Sequence, residues 1–215
     1  MATSIIKTDE IRRLNNTVLM SDGVLTSNVD ISNVVFPPGH IIQTVHNTYG
    51  GGTSGNYNSD SNTNLGMYHP FKKNVSGTNT YYWSTAITNV KANSHVIVMM
   101  KFNYEATTYD SGHATYGFCI FRGTTNPVTS EAQAGSVLDY GDSEGDWIEL
   151  ANINGSGNLK VEDQNVLYYY DSSPNTGTNV YTPGGTVGGG AGGSIRIKTG
   201  NYQQSFQCVL QEVAQ

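Results

Sequence analysis

Hydrophobic and polar positions alternate with a period of two over much of the chain after residue 36, which is typical of half-buried β-strands. The longest run carries large apolar side chains at every second position: Val96, Val98, Met100, Phe102 and Tyr104. The intervening positions are more polar, but they include Ile97 and Met99. The pattern therefore predicts a strand that is also covered in the middle of its second face, either because it is central in a sheet or because it lies at a subunit interface.

Shorter segments with β-rich composition predict further strands between polar turns. They are residues 40–48, 81–90, 116–121, 146–153, 167–170, 195–198 and 206–213. The tracts 50–66, 123–145 and 171–193 are poor in apolar residues and rich in Gly, Asn and Ser, so we predict that they are long, irregular loops. About eight strands joined by such loops favour an all-β fold, a jelly-roll-like β-sandwich.

Residues 1–35 differ from the rest, because short apolar runs alternate there with polar turns. Asp22-Gly23 between two apolar runs predicts a hairpin. Two short strands cannot bury a core alone, so the segment packs on the main body or on copies of itself, as in a trimeric β-stalk. A joint follows at residues 36–40, where two prolines enforce extended backbone and Gly39 permits a bend. We predict an N-terminal anchoring and trimerisation segment, 1–35, and a β-sandwich domain, 36–215.

Charge is sparse in this chain. Charged residues make up 13% of it and the net charge is −6, whereas an average soluble protein has roughly 25% charged residues. The balance of 11 Lys and Arg against 17 Asp and Glu argues against nucleic-acid binding. Apolar runs fall short of the roughly 20 residues of a membrane span, so we expect no membrane insertion.

Both cysteines of the chain lie in apolar, strand-like runs. This placement predicts that Cys119 and Cys208 are buried apolar fillers. A disulfide between neighbouring strands is the alternative, and the spacing gives no sign of a zinc site.

An acidic cluster is the densest charge group. Four carboxylates in eight residues could bind Ca²⁺: Asp139, Asp142, Glu144 and Asp146. Their order does not match the EF-hand loop, and a solvated acidic loop is the favoured interpretation, so no other cofactor is predicted. A glycosidase would need two carboxylates held about 5 to 9 Å apart across a cleft. Nothing in the sequence fixes such a geometry, and we predict no enzymatic activity.

Aromatic residues among Gly, Ser, Asn and Asp form a second group of candidates. Rigid amphipathic rings beside small polar groups are typical of adaptable binding surfaces, and aromatic faces suit sugar rings. The candidates for a binding surface in the loops are Tyr49, Tyr57, Tyr68, His69, Tyr109 and Tyr140. The alternative is that some of these tyrosines plug the ends of the sandwich.

Three motifs carry a resemblance to a known family. They are FPPGHIIQ at 36–43, which is similar to the pattern FPxGHxIQ, YYDSSPNT at 169–176, and the alternating strand at 206–213. Together they resemble virion structural proteins, tail-fibre-like or decoration-type, of tailed phages that infect marine bacteria and cyanobacteria. The resemblance spans most of residues 36–215 and implies a virion location, with assembly in the host cytoplasm. The Gly-rich stretches at 50–55 and 184–193 depart from the family's pattern.

Three hypotheses for function follow. The first is a short tail fibre or receptor-binding module, a homotrimer that recognises a host-surface glycan or protein and contacts other virion proteins through its N-terminal segment. The second is a capsid decoration or head-fibre protein attached to the shell. The third, from another class, is a spike that degrades polysaccharide.

Overall fold

The computed structural model describes residues 10–12, 18–21, 24–25, 37–50, 57–58, 68–75, 78–80, 83–108, 113–139, 147–151, 159–188, 193–198 and 205–215. The chain divides into two compact units, Met1–Phe36 and Pro37–Gln215. Within the described ranges, no helix has the length and apolar character needed to cross a membrane.

In the first unit, three short strands form an antiparallel sheet. They are β1 (Glu10–Arg12), β2 (Val18–Ser21) and β3 (Val24–Leu25). Ser21 pairs with Val24, so the two strands that flank Asp22-Gly23 pair as the predicted hairpin requires, while the turn residues themselves lie outside the described residues. The anchoring and trimerisation role of the segment stays a prediction.

The second unit is built almost entirely of strands. In chain order they are β4 (Ile41–Gly50), β5 (Tyr57–Asn58), β6 (His69–Pro70), β7 (Lys73–Val75), β8 (Thr78–Thr80), β9 (Thr85–Val90), β10 (Ser94–Thr108), β11 (His113–Gly123), β12 (Ser136–Asp139), β13 (Trp147–Ala151), β14 (Leu159–Asp171), β15 (Gly177–Gly188), β16 (Gly193–Lys198) and β17 (Ser205–Ala214). One helical turn, α1 (Glu131–Ala134), precedes β12. Strands β7 and β8 form a separate hairpin.

The other strands form two antiparallel sheets. Some strands are short and lie end to end in the position of a single strand, which we call a row, so each sheet is four rows wide. In the first sheet, β10 pairs with β14 on one side and with β17 and β16 on the other, and these pair with β4 and β5. In the second, β11 pairs with β12 and β13 on one side and with β15 on the other, and β15 pairs with β9 and β6.

The order of these rows identifies the topology. When the eight rows are numbered along the chain, the first sheet runs 1-8-3-6 and the second runs 2-7-4-5. This is the row order of a jelly roll, in which the chain crosses repeatedly between two sheets. The predicted all-β, jelly-roll-like sandwich of about eight strands is confirmed.

The core lies between the two sheets, on the faces that the alternation predicted. The five apolar residues of β10, from Val96 to Tyr104, are at most 3% exposed. Phe118 of β11 contacts the rings of Phe102 and Tyr104, with centroid distances of 5.5 and 5.0 Å. Each such buried side chain stabilises the fold by roughly 1.5–3 kcal/mol. Contacts between apolar side chains that are far apart in the sequence therefore hold the two sheets together.

A second, smaller cluster covers the outer side of the second sheet. Cys119 and Phe121 point away from the main core and pack against Val128, Ala134 and Val180. The segment that carries Val128 and α1 thus lies over this face. Cys208 belongs to the main core instead, and both cysteines are buried and not joined by a disulfide. The disulfide alternative is wrong, and the prediction of buried fillers is confirmed.

The tract 171–193 is less irregular than predicted, because residues 177–188 form β15, an inner row of the second sheet. The prediction of an irregular loop is wrong there. A Cβ on Gly184 would overlap the Phe121 ring and lie 2.6 Å from the backbone oxygen of His69. The glycines of this stretch therefore permit close packing of a strand, and a strand that packs through missing side chains shows no apolar alternation.

The joint before β4 has the bend that its sequence predicts. Gly39 has a φ of +82°, and the N–H of His40 donates to the carbonyl of Pro37 at 3.0 Å. Gly39 N–H also donates to the carbonyl of Ala214 at 2.8 Å. The bond from Gly39 fastens the start of the second unit to its last strand, β17.

Candidate binding face

Tyr49, the first of the candidate binding residues, is half-buried beside the core. Its ring lies 5.9 Å from that of Trp83 and 5.8 Å from that of Phe206. Its hydroxyl donates to the carbonyl of Ser84 at 2.7 Å, and burial raises its pKa. For this tyrosine the contacts are those of a plug that closes the side of the sandwich.

Tyr68 and His69 lie at the outer side of the second sheet. Tyr68 packs against the small cluster around Cys119. His69 Nδ1 lies 2.6 Å from Glu131 Oε1, which ties β6 to α1, and its Nε2 atom is buried with no hydrogen-bond partner. Both side chains therefore help to hold the segment that covers this sheet.

The structure leaves the other predicted site residues apart or outside the described part of the chain. Tyr57 pairs with Ile197 in the first sheet, and Asp139 pairs with Ile120 in the second, so these two are not brought together. Outside the described residues are Tyr109, Tyr140, Asp142, Glu144 and Asp146. Among the residues that the structure does describe, no group of three His, Cys, Asp or Glu could hold a metal ion. The Ca²⁺ hypothesis stays a prediction.

Sequence reasoning missed a different surface, the outer side of β14. Val166 and Tyr168 are each 59% exposed and Tyr170 is 46% exposed, whereas Leu167 and Asp171 between and beside them are buried. The stretch Leu-Tyr-Tyr-Tyr is apolar and aromatic at every position, so its sequence gave no alternation from which to choose the exposed side. Strand geometry makes that choice, since alternate side chains point to opposite faces.

This surface continues across the sheet. The register places Tyr170 beside Ile97 and Tyr168 beside Met99 on β10, and Val209 of β17 lies beyond Met99. We call these residues, with Val166, the outer face. Its middle is half-buried by the neighbouring rows, as expected of a central strand, and no described segment packs over it in the way that α1 covers the second sheet.

Polar contacts fix the two ends of the outer face. At one end, the ring of His95 lies 4.8 Å from that of Tyr170, and its Nδ1 lies 3.0 Å from the carbonyl oxygen of Ser172. At the other end, Gln164 Nε2 donates to Asn103 Oδ1 at 3.1 Å. The Tyr170 ring therefore packs against a buried neighbour, His95.

An ion pair between the buried Asp171 and the partly buried Arg122 anchors the end of β14 from the inner side. Arg122 Nη1 lies 2.7 Å from both carboxylate oxygens of Asp171, and the Tyr181 hydroxyl donates to Asp171 Oδ2 at 2.8 Å. Burial and the neighbouring carboxylate raise the pKa of Tyr181, so its hydroxyl keeps its proton. This network holds the aromatic end of the strand in place.

Comparison with known proteins adds little to this geometry. No protein-family model matches the chain, and no curated protein matches it. Among solved structures, the CBM22-1 xylan-binding domain from Paenibacillus barcinonensis Xyn10C is similar to it, with 14% identity over 84% of this chain and 99% of that domain, and a TM-score of 0.21. At this score the likeness carries no argument about the site.

Chemically, the outer face is suited to recognition. It combines exposed rings, half-buried aliphatic side chains and polar neighbours, among them Lys101 opposite Val166. Exposed apolar patches on a folded domain commonly mark binding sites.

Proposed function

We propose that this chain is a non-enzymatic virion surface protein that attaches the particle to a glycan on the host surface. The observation that carries the proposal is the exposure of Tyr168 and Tyr170 on the outer face, at 59% and 46%. Two residues apart on one strand, their Cα atoms are roughly 7 Å apart and both rings lie on the same side. Such a pair offers a large contact area at a small cost in side-chain entropy.

The low charge of the surface supports stacking over ion pairing as the mode of binding. Only 13% of residues are charged, and the outward-facing residues of β14 from Val166 to Tyr170 are uncharged. One charged side chain, Lys101 of β10, is exposed opposite Val166. Sugar rings stack on aromatic rings through their apolar C–H faces and need no charge for it.

The virion location is supported by the resemblance of the motifs at 36–43 and 169–176 to phage structural proteins. The homotrimer is supported by the short apolar runs of residues 1–35 and by the joint that separates them from the jelly roll. Both belong to the proposal, together with attachment to other virion proteins through the N-terminal segment.

The test is a binding measurement on immobilised surface polysaccharides from marine bacteria and cyanobacteria, with the full chain. Tyr168→Ala and Tyr170→Ala are each expected to weaken binding about tenfold, about 1.4 kcal/mol, because each removes one stacking ring. Ile41→Ala, exposed at the opposite edge of the same sheet, is the matched control and should bind as the wild type does. Failure of the wild-type chain to bind any of these polysaccharides would falsify the proposal, as would a double Tyr variant that binds normally.

A second candidate, capsid decoration, is favoured by the aliphatic middle of the outer face. Ile97, Met99 and Val209 suit a flat protein surface better than a sugar. Location on the virion by electron microscopy separates the two. Hundreds of copies on the shell would support decoration, whereas a few tens or fewer at the tail would support host attachment.

A further inference from the structure

The strand that carries the exposed tyrosines is also the edge row of its sheet. β14 pairs with β10 over its whole length, from Asp171 opposite Val96 to Leu159 opposite Thr108, without a register shift. Among the described strands, β10 is its one hydrogen-bonded neighbour. The far side of an edge strand presents backbone N–H and C=O groups that another strand can pair with.

In the first half of this edge, side chains of β14 itself accept hydrogen bonds from its outward-pointing backbone N–H groups. The N–H of Gln164 donates to Asp163 Oδ1 at 2.7 Å, and the N–H of Val166 donates to Asn165 Oδ1 at 2.8 Å. These two N–H groups therefore point away from β10. Glu162 and Asp163 also place negative charge here, which is a usual protection against unwanted strand pairing.

The second half of the edge lacks that protection. Backbone groups in an antiparallel ladder alternate between the two sides with a period of two, so the N–H and C=O of Tyr168 and Tyr170 point to the same free side as those of Gln164 and Val166. The preceding side chains, Leu167 and Tyr169, have no acceptor placed like the caps of Asp163 and Asn165. The uncapped backbone thus coincides with the exposed rings.

The opposite edge of the same sheet is tied to the second sheet. Gln43 Nε2 of β4 donates to the carbonyl of Thr88 at 2.8 Å, and the Tyr49 hydroxyl donates to that of Ser84 at 2.7 Å. Both acceptors lie in or next to β9. These side-chain bonds tie the β4 edge to the second sheet, whereas none of the described strands pairs with the far side of β14.

We propose that this edge binds the same edge of a second copy of the chain, antiparallel about a two-fold axis, with Tyr168 opposite Tyr170 of the partner subunit. This register pairs the uncapped N–H and C=O groups of both tyrosines in both copies. A shift toward the start of the strand would bring in Val166, whose N–H is already bonded. A second copy suits the site because no charged side chain lies between Asn165 and Tyr170, and Glu162 and Asp163 lie beyond the end of the partner's strand.

The size of the contact sets its strength. The exposed side chains of Val166, Tyr168 and Tyr170 each offer on the order of 100 Å², against about 800 Å² per partner in a standard interface. The pair is therefore weak and concentration-dependent in solution. It joins two outer faces into one face eight rows wide, which would raise the avidity for any repeated ligand. The contact does not depend on what the outer face binds.

The test is disulfide trapping in the full chain. Opposed residues of a hydrogen-bonded antiparallel pair have Cα atoms about 5.5 Å apart, within the range that a disulfide spans. The double variant Tyr168→Cys with Tyr170→Cys is expected to give a covalent dimer on a non-reducing gel. Each single variant places its new thiols diagonally, roughly 7–8 Å apart, and should cross-link at least several-fold less. Ile41→Cys, on the opposite edge row, is the matched control, and the native cysteines are buried.

Two results would overturn the contact. One is a double variant that melts as the wild type does and stays unlinked under oxidation. The other is equal cross-linking of the double variant, the single variants and Ile41→Cys, which would mean random collision. A chain that cross-links as expected but binds no polysaccharide would leave this contact standing and remove only the proposed function.

Discussion

The thiol of Cys208 shows what full burial does to a titratable residue in this core. Burial raises its pKa from the ordinary value of 9.0 to about 12. Between these values the unfolded chain loses a proton that the folded chain keeps, so stability is complete below about pH 8.5 and falls as pH rises. We expect the unfolding temperature, measured by calorimetry, to be flat from pH 7 to 8 and to decrease from pH 9 to 11.

Cys208→Ala separates this thiol from other groups. Burial also raises the pKa of Tyr181 and Tyr49, and these phenols contribute only near pH 10 and above, where unfolded tyrosine ionises. The variant should therefore lose the decline between pH 8.5 and 10 and keep the steeper part above it. An unchanged profile would show that Cys208 is not the source.

Replacement of Asp171 tests how much its hydrogen-bonded network with Arg122 and Tyr181 stabilises the fold. Its carboxylate is 1% exposed and accepts hydrogen bonds from Arg122 and Tyr181. Asp171→Ala leaves the Arg122 guanidinium without its carboxylate partner, although Arg122 Nη1 still donates to the Ser173 carbonyl at 2.7 Å. It also leaves the buried Tyr181 hydroxyl without its acceptor, so we expect a loss of about 3 kcal/mol in the free energy of unfolding by urea. Asp163→Ala, an exposed acid eight positions earlier, should change it by less than about 0.5 kcal/mol. Similar small effects for both would mean that Arg122 finds other partners.

At the scale of elements, the sequence predicts a strand correctly where that strand contributes its own apolar side chains to the core. β10 and β17 show clean alternation, and their inward residues from Val96 to Tyr104 and from Phe206 to Leu210 are all buried. β15 was missed because its neighbours supply the apolar groups over Gly184 and Gly185. The outer face was missed for the opposite reason, since in residues 167–170 each side chain can serve either as core or as surface.

The glycines of β15 give a test of this explanation. A Cβ on Gly184 would meet the Phe121 ring and the backbone oxygen of His69, neither of which can move aside easily. We expect Gly184→Ala to lower the free energy of unfolding by about 1–3 kcal/mol, the usual cost of overpacking. Gly117→Ala is the comparison, because its Cβ would meet side chains and no backbone atom, the Tyr68 hydroxyl at 2.9 Å and Thr186 Cγ2 at 3.2 Å, so a smaller loss is expected. Equal tolerance of both changes would contradict the packing argument.

At the scale of the whole molecule, the two sheets of the jelly roll differ in what lies on their outer sides. The outer side of the second sheet is covered by the segment that carries Val128 and α1. The first sheet has its exposed rings and its uncapped backbone on one row, β14. The low content of charged residues, 13%, fits this asymmetry, because a surface with few charged side chains relies more on rings and backbone groups for recognition. Binding is therefore expected at the first sheet.

The division of the chain into two units yields a prediction about assembly. The main core lies entirely within residues 37–215, so deletion of residues 1–36 should leave the calorimetric unfolding temperature of the jelly roll within a few degrees of that of the full chain. If the N-terminal runs form the trimeric stalk, the same deletion should reduce the mass in dilute solution from three copies to one, as measured by light scattering at matched concentration. A shortened chain that remains trimeric would move the trimer contacts into the jelly roll, and one that fails to fold would show that the first unit contributes to the stability of the second.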